Sequence, residues 1–257
     1  MSDTSALGKK VFFLYPPPVL NEVVEDLAKK EFEVYLVRNH VRLTRLLADE
    51  PEAIVFINID DGMDEPAWEA FIRALKSDEK TKTVGIGILS LNEDKALMEK
   101  YLMDIQVPCG FVVVKIGTAK TIEILTKTLD ANEARGRRRF VRATCQPGAA
   151  LCALEIDGRS VQGSLSDLSS AGMAVSFEGN TSLKPGTVLR GITLNVRGSR
   201  LALNGFVAAK RGEGGSPVYV VMFDPSSIDD ARRDKLRSMV SKLNQSSMDK
   251  LLDSIPA

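Results

Sequence analysis

The sequence predicts two domains of different class: an α/β domain on a doubly wound parallel sheet, then an all-β domain, a six-stranded antiparallel barrel with a trailing C-terminal helix. Three observations carry this. Over the first half, short apolar runs alternate with segments whose apolar residues recur every three to four positions. After Arg142 the pattern changes to apolar and polar alternation broken by turn residues. A chain of 257 residues, 44% hydrophobic and 26% charged, is long enough to bury two cores.

In the first domain, residues 1–133, the apolar runs are VFFLY (11–15), EVYLV (33–37), AIVFINI (53–59), TVGIGILS (83–90) and GFVVVKI (110–116). Runs apolar on both faces fit parallel strands covered by helices on either side. Helical spacing lies between them, as in Leu20, Val23, Val24 and Leu27, or Trp68, Phe71, Ile72 and Leu75. Gly85 and Gly87 fall inside a strand and lack a third glycine and a following helix, so they predict close packing rather than a dinucleotide fingerprint.

The second domain, residues 143–225, reads as strands near 150–156, 160–166, 172–177, 187–196, 200–209 and 217–223. DGR, NTSLKPG, RGS and GEGGSP supply turns between them. From 226 to 257 two sets of apolar residues, Leu236, Met239, Val240 and Leu243, then Met248, Leu251, Leu252 and Ile255, predict a helix packed on the barrel or offered to a partner. Asp229 and Asp230 at its start suit the helix dipole.

Composition excludes several functions. The opening MSDTSALGKK lacks the apolar run of a signal peptide and no stretch is long enough to span a bilayer, so a cytoplasmic, membrane-free protein is expected. Cys109, Cys145 and Cys152 have no metal-binding spacing and His40 stands alone, which speaks against a zinc site and a Ser-His-Asp arrangement. No catalytic residues, metal or cofactor are expected. With 34 basic and 34 acidic residues, general nucleic-acid binding is not expected either.

Against that neutral balance, RGRRRFVRATC places five arginines between Arg135 and Arg142, in the stretch 134–142 that joins the two domains. Taken alone such a cluster reads as a solvated linker. An arginine also offers a planar fork of donors for phosphate or a guanine edge, and a flat face for stacking. Further on, DLSSAG (Asp167 to Gly172) lies at a strand connection, where an Asp or Ser turn is the ordinary reading. Its Asp can accept from guanine donors, and its Gly lets backbone approach closely.

Together these elements, RRFVR (Arg138 to Arg142) and DLSSAG, ahead of and within a barrel with a trailing helix, resemble the PilZ domain, a family of cyclic di-GMP receptors. The resemblance covers roughly 136–225 and matches the patterns RxxxR and [DN]xSxxG. It implies a non-catalytic ligand site in which Arg138 and Arg142 clamp the nucleotide, Asp167 and Ser169 read a guanine edge, and Gly172 gives clearance. Arg137, just before the motif, implies a stacked pair of cyclic di-GMP molecules per chain. One departure is VYVVMF (218–223), where Val221 stands in place of an expected glycine. On this reading the ligand folds the arm onto the barrel and changes domain orientation, controlling an unidentified protein partner through the N-terminal domain or the C-terminal helix. Motility, attachment or virulence are the outputs the family implies. The rival reading is a PilZ-like protein or RNA interaction module with no nucleotide switch; Phe140 alone is thin support for base stacking and is expected to be buried.

The first domain likewise resembles response-regulator receivers, with their chemistry missing; the alternative reading is an unrelated α/β docking domain. YPPPV follows the first strand where a Mg²⁺-binding acidic pair would stand, and Asn58 takes the place of the phosphoryl acceptor. Ser90 and Lys115 match the remaining positions, and only Asp60 or Asp61 could restore an acceptor. A neutral amide cannot accept phosphate, so a receiver that does not phosphorylate is expected.

Overall fold

A computed structural model describes residues 8–156, 158–179, 181–212 and 217–256. The first seven residues, Asp157 of DGR, Asn180 of NTSLKPG and residues 213–216 of GEGGSP lie outside the described residues. The chain divides into two compact units, one comprising residues 1–139 with 248–257, the other residues 140–247.

The first unit alternates strand and helix: β1 (Lys10–Leu14), α1 (Leu20–Lys29), β2 (Glu33–Val37), α2 (His40–Leu47), β3 (Ile54–Asn58), α3 (Glu65–Ser77), β4 (Gly85–Ser90), α4 (Lys95–Glu99), β5 (Phe111–Val113) and α5 (Thr118–Ala131). The strands are parallel in the order β2-β1-β3-β4-β5, a doubly wound sheet. Alternate residues face opposite sides. Val11, Phe13, Ile54 and Phe56 pack with Leu20, Leu27, Leu125 and Leu129 of α1 and α5. Phe12, Leu14, Val55 and Ile57 pack with Leu43, Leu47, Trp68 and Ile72 of α2 and α3. This two-sided burial is why the strands read as unbroken apolar runs. Asn39, Asp64 and Asp94 accept backbone N–H groups at the starts of α2, α3 and α4, supplying the missing partners of those termini. Gly87 is close packing, as expected: a Cβ there would stand 2.6 Å from the Phe56 ring.

In the second unit β6 (Arg142–Thr144), β7 (Ala150–Ile156), β8 (Arg159–Ser169), β9 (Gly172–Phe177), β10 (Val188–Val196), β11 (Ser199–Arg211) and β12 (Val218–Phe223) form one antiparallel sheet. Its order is β6-β8-β7-β10-β11-β12-β9, and the β8–β9 pairing closes β7 to β12 into a six-stranded barrel. The sequence pattern missed β6, three residues that lie along β8 beyond its pairing with β7. Inward residues such as Leu165, Leu168, Val175, Ile192, Leu194, Val207 and Val221 make the core.

The helix α6 (Asp230–Ser254) begins with Asp229 accepting the Arg232 N–H at 2.8 Å. Its two apolar sets have different destinations. Leu236, Met239, Val240 and Leu243 are buried in the barrel core. Met248 and Leu252 are buried in the first unit, on the α2 and α3 side of its sheet, where Arg42 pairs with Asp253 at 2.6 Å and Arg45 donates to the Pro256 carbonyl. An α2 of eight residues covers only part of that face, and the last turns of α6 supply further apolar cover.

All three cysteines are free and buried. Burial pushes the thiols of Cys109 and Cys145 up to about 11 and that of Cys152 up to about 12, so they behave as packing residues. No helix among the described residues is long and apolar enough to cross a membrane.

Candidate functional site

The β6–β8 ladder sets the geometry of the two sequence motifs. Its register pairs Arg142 with Ser169, Ala143 with Leu168 and Thr144 with Asp167. Ala143 is fully buried, so Arg142 and Thr144 project from the outer wall, where both are exposed. On β8 the inward positions run Gly163, Leu165 and then Leu168. Strict alternation would have turned Asp167 into the core. A bulge between Leu165 and Asp167, where β8 pairs with β9, inserts one extra residue and reverses the parity, placing Asp167 half-exposed on the same face as Arg142.

Ser169 and Gly172 have local duties. The Ser169 hydroxyl donates to the Gly172 carbonyl at 3.2 Å and accepts the N–H groups of Ala171 and Gly172 at 3.3 and 3.2 Å. It is only 7% exposed, so it closes the turn from β8 to β9. Gly172 is a glycine because its strand lies against β12. A Cβ there would stand 2.4 Å from the Val221 carbonyl oxygen. The turn shape therefore depends on both residues, and it fixes the end of the strand that carries Asp167.

The remaining arginines fall on the other side of the unit boundary, which cuts between Arg139 and Phe140. The start of the arm is anchored to the first unit: Ala134 is buried and its carbonyl accepts the Lys9 N–H at 2.9 Å. The Arg135 guanidinium lies 4.5 Å over the Phe32 ring and its Nε is 3.3 Å from Asp130. Arg137, Arg138 and Arg139 follow in irregular, exposed backbone. Arg137 and Arg135 line a cavity of about 660 Å³ with Lys9, Glu52 and Asp130, a lining of mixed charge. Arg138 also stabilises the charged form of Glu33, whose pKa is nevertheless raised because burial dominates. Of the six candidate residues, then, Arg142, Asp167, Ser169 and Gly172 share one corner of the barrel unit, and Arg137 and Arg138 belong to the arm. Phe140 is half-buried.

At the carboxyl edge of the parallel sheet, Asn58 is 4% exposed and donates to the Tyr15 carbonyl at 2.8 Å. Asp60 accepts the Ser90 hydroxyl at 2.8 Å and the Leu91 N–H, so its carboxylate is tied to the end of β4. Tyr15, with φ 51, bonds His40 Nδ1 at 3.1 Å, and both rings pack against Trp68. His40 opens α2, as an N-terminal helix residue, and completes this aromatic cluster. Among the described residues no group of three or more His, Cys, Asp or Glu side chains is placed to hold a metal.

The PilZ domain family model matches residues 136–242. No curated protein is a significant match to the chain. Among solved structures, the PilZ domain of YcgR from Escherichia coli with c-di-GMP aligns at 18% identity and TM-score 0.41, over 46% of this chain and 99% of that one. The K. pneumonia MrkH–c-di-GMP complex aligns at 17% identity and TM-score 0.37, over 46% of this chain and 57% of that one. The Bacillus subtilis inhibitor of motility, MotI/DgrA, aligns at 13% identity and TM-score 0.35, over 44% and 52%. The chain thus spans little more than half the length of the latter two. With the motifs, the closed barrel and the family match in agreement, residues 136–242 of this chain are a PilZ domain.

Proposed function

We propose that this protein is a cyclic di-GMP receptor. The observation that carries the reading is the β6–β8 register, which sets Arg142 beside the bulge-presented Asp167 on the outer wall of the barrel. Arg142, with Arg138 from the arm, clamps phosphate and guanine, and Asp167 accepts from the guanine N1 and N2 donors. Ser169 and Gly172 act through the turn they shape. Arg137 adds a donor for a second, stacked ligand molecule.

Because the motif straddles the junction between the two units, a dianion held by Arg138 and Arg142 together fixes the arm and changes the orientation of the domains. The α/β domain, with Asn58 for an acceptor and Asp60 already engaged by Ser90, serves as an output module rather than a phosphorylated receiver. The apolar residues Met239, Leu243, Met248 and Leu252 of α6 are spent in the cores, which favours the α/β surface over the helix for a protein partner. Equilibrium dialysis with labelled cyclic di-GMP tests the receptor, with two molecules retained per chain at saturation and displacement by unlabelled cyclic di-GMP but not cyclic di-AMP. Solution scattering tests the switch: the profile changes on adding ligand, and an unchanged profile contradicts it.

A further inference from the structure

The outer wall of the barrel carries an exposed apolar row that neither motif includes. Val188 on β10, Phe206 on β11 and Met222 on β12 are 64%, 41% and 38% exposed. They lie in register: Val188 pairs with Phe206, Phe206 with Met222, and Met222 with Gly172 on β9. The row therefore runs across four adjacent strands and ends at the glycine of the DLSSAG motif. A second row connects it to the same corner, since Asp167 pairs with Ala174 and Ala174 with Val220, both half-buried.

Adjacent strands are about 4.8 Å apart. Met222 thus stands about one strand spacing from Gly172, and Phe206 about two. Gly172 has no side chain and Ala174 has one methyl group, so the wall between Asp167 and Met222 is low and flat. A flat apolar floor that begins beside a carboxylate and an arginine fits a purine, whose edge is polar and whose faces are not. Thioether and phenyl groups both make favourable face and edge contacts with aromatic rings. Arg190, two residues after Val188 on β10, is also exposed.

Resting on the receptor reading above, we infer that the nucleotide site extends over this wall, with Met222 and Phe206 forming the seat for a purine face beyond the one read by Asp167. The arm arginines supply charge and edge recognition; Met222 and Phe206 supply stacking area and raise affinity for a ligand with more than one purine. Neither residue belongs to the arginine or DLSSAG motif, so their contribution separates from that of the clamp.

The test is calorimetric titration of cyclic di-GMP into the full chain and into Phe206→Ser and Met222→Gln, with 5′-GMP as a single-purine probe. Both side chains point outward, and thermal unfolding of each variant checks that the barrel is intact. Each variant is expected to weaken cyclic di-GMP binding about tenfold, as loss of a stacking partner does, with 5′-GMP binding unchanged. Unchanged cyclic di-GMP affinity in both folded variants, with wild-type binding present, overturns the seat and leaves the receptor standing. A change in sedimentation instead of affinity assigns the row to self-association and also overturns it. Absence of binding to the wild-type chain removes both readings.

Discussion

Arg142 and Ser169 are direct partners across the β6–β8 pair, and Asp167, two residues before Ser169, lies opposite Thr144. One short ladder thus holds the end of the arginine motif and the start of the DLSSAG motif in fixed register. Asp167→Ala keeps the paired strand but removes both acceptor oxygens. It is expected to weaken cyclic di-GMP binding by about tenfold or more while leaving the melting temperature within a degree or two. Binding isotherms and thermal scans of the same sample check both halves.

Gly172→Ala is expected to act through the fold. The added methyl group would lie 2.4 Å from the Val221 carbonyl, a backbone atom in a paired strand that cannot turn aside. A cost of about 1 to 3 kcal/mol follows. Chemical denaturation should show the loss in the absence of any nucleotide, and a fully stable variant would return the glycine to a purely ligand-facing role.

Asn58→Asp is not expected to restore a phosphoryl acceptor. The amide donates to the Tyr15 carbonyl in a buried position, and a carboxylate there would face an acceptor without a proton to share. The substitution should cost about 1 to 3 kcal/mol at neutral pH. Intact mass after incubation with acetyl phosphate should show no phosphoryl adduct on either the wild type or the variant.

Glu33 gives a pH-dependent prediction. Burial raises its pKa above the ordinary 4.5, outweighing the Tyr35 hydrogen bond at 2.5 Å and the charges of Lys10 and Arg138. The folded chain therefore holds this proton at pH values where the unfolded chain has released it. Stability from this group falls as pH rises from the ordinary value through the raised one, and the loss is complete above it. Glu33→Gln, always neutral, should melt higher than wild type at pH 7. The difference should close as the pH is lowered to the ordinary carboxylate range.

Much of this was legible in the sequence because burial leaves a periodic trace. VFFLY and AIVFINI mark strands covered on two faces, and the alternation in TLNV or LALNGFV marks the barrel wall. The three residues of β6 have no period of their own and sit among arginines, so only their pairing with β8 reveals them. The bulge at Ser166 escaped for a related reason: one extra residue changes which face Asp167 occupies without changing composition. Helical spacing announced both apolar sets of α6 but carried no label for the core that Met248 and Leu252 enter. Phe206 and Met222 stand at ordinary outward positions of their strands, and it is register across three strands that makes a row of them.

The most direct measurement is isothermal titration of cyclic di-GMP into the intact protein and into Arg138→Ala, with cyclic di-AMP and GTP as controls. Saturable binding of cyclic di-GMP at micromolar affinity or tighter, at least tenfold weaker in the variant and absent with the controls, is the predicted result. No heat from cyclic di-GMP, or equal binding by wild type and variant, would contradict the assignment of this chain as a receptor that uses its arginine arm.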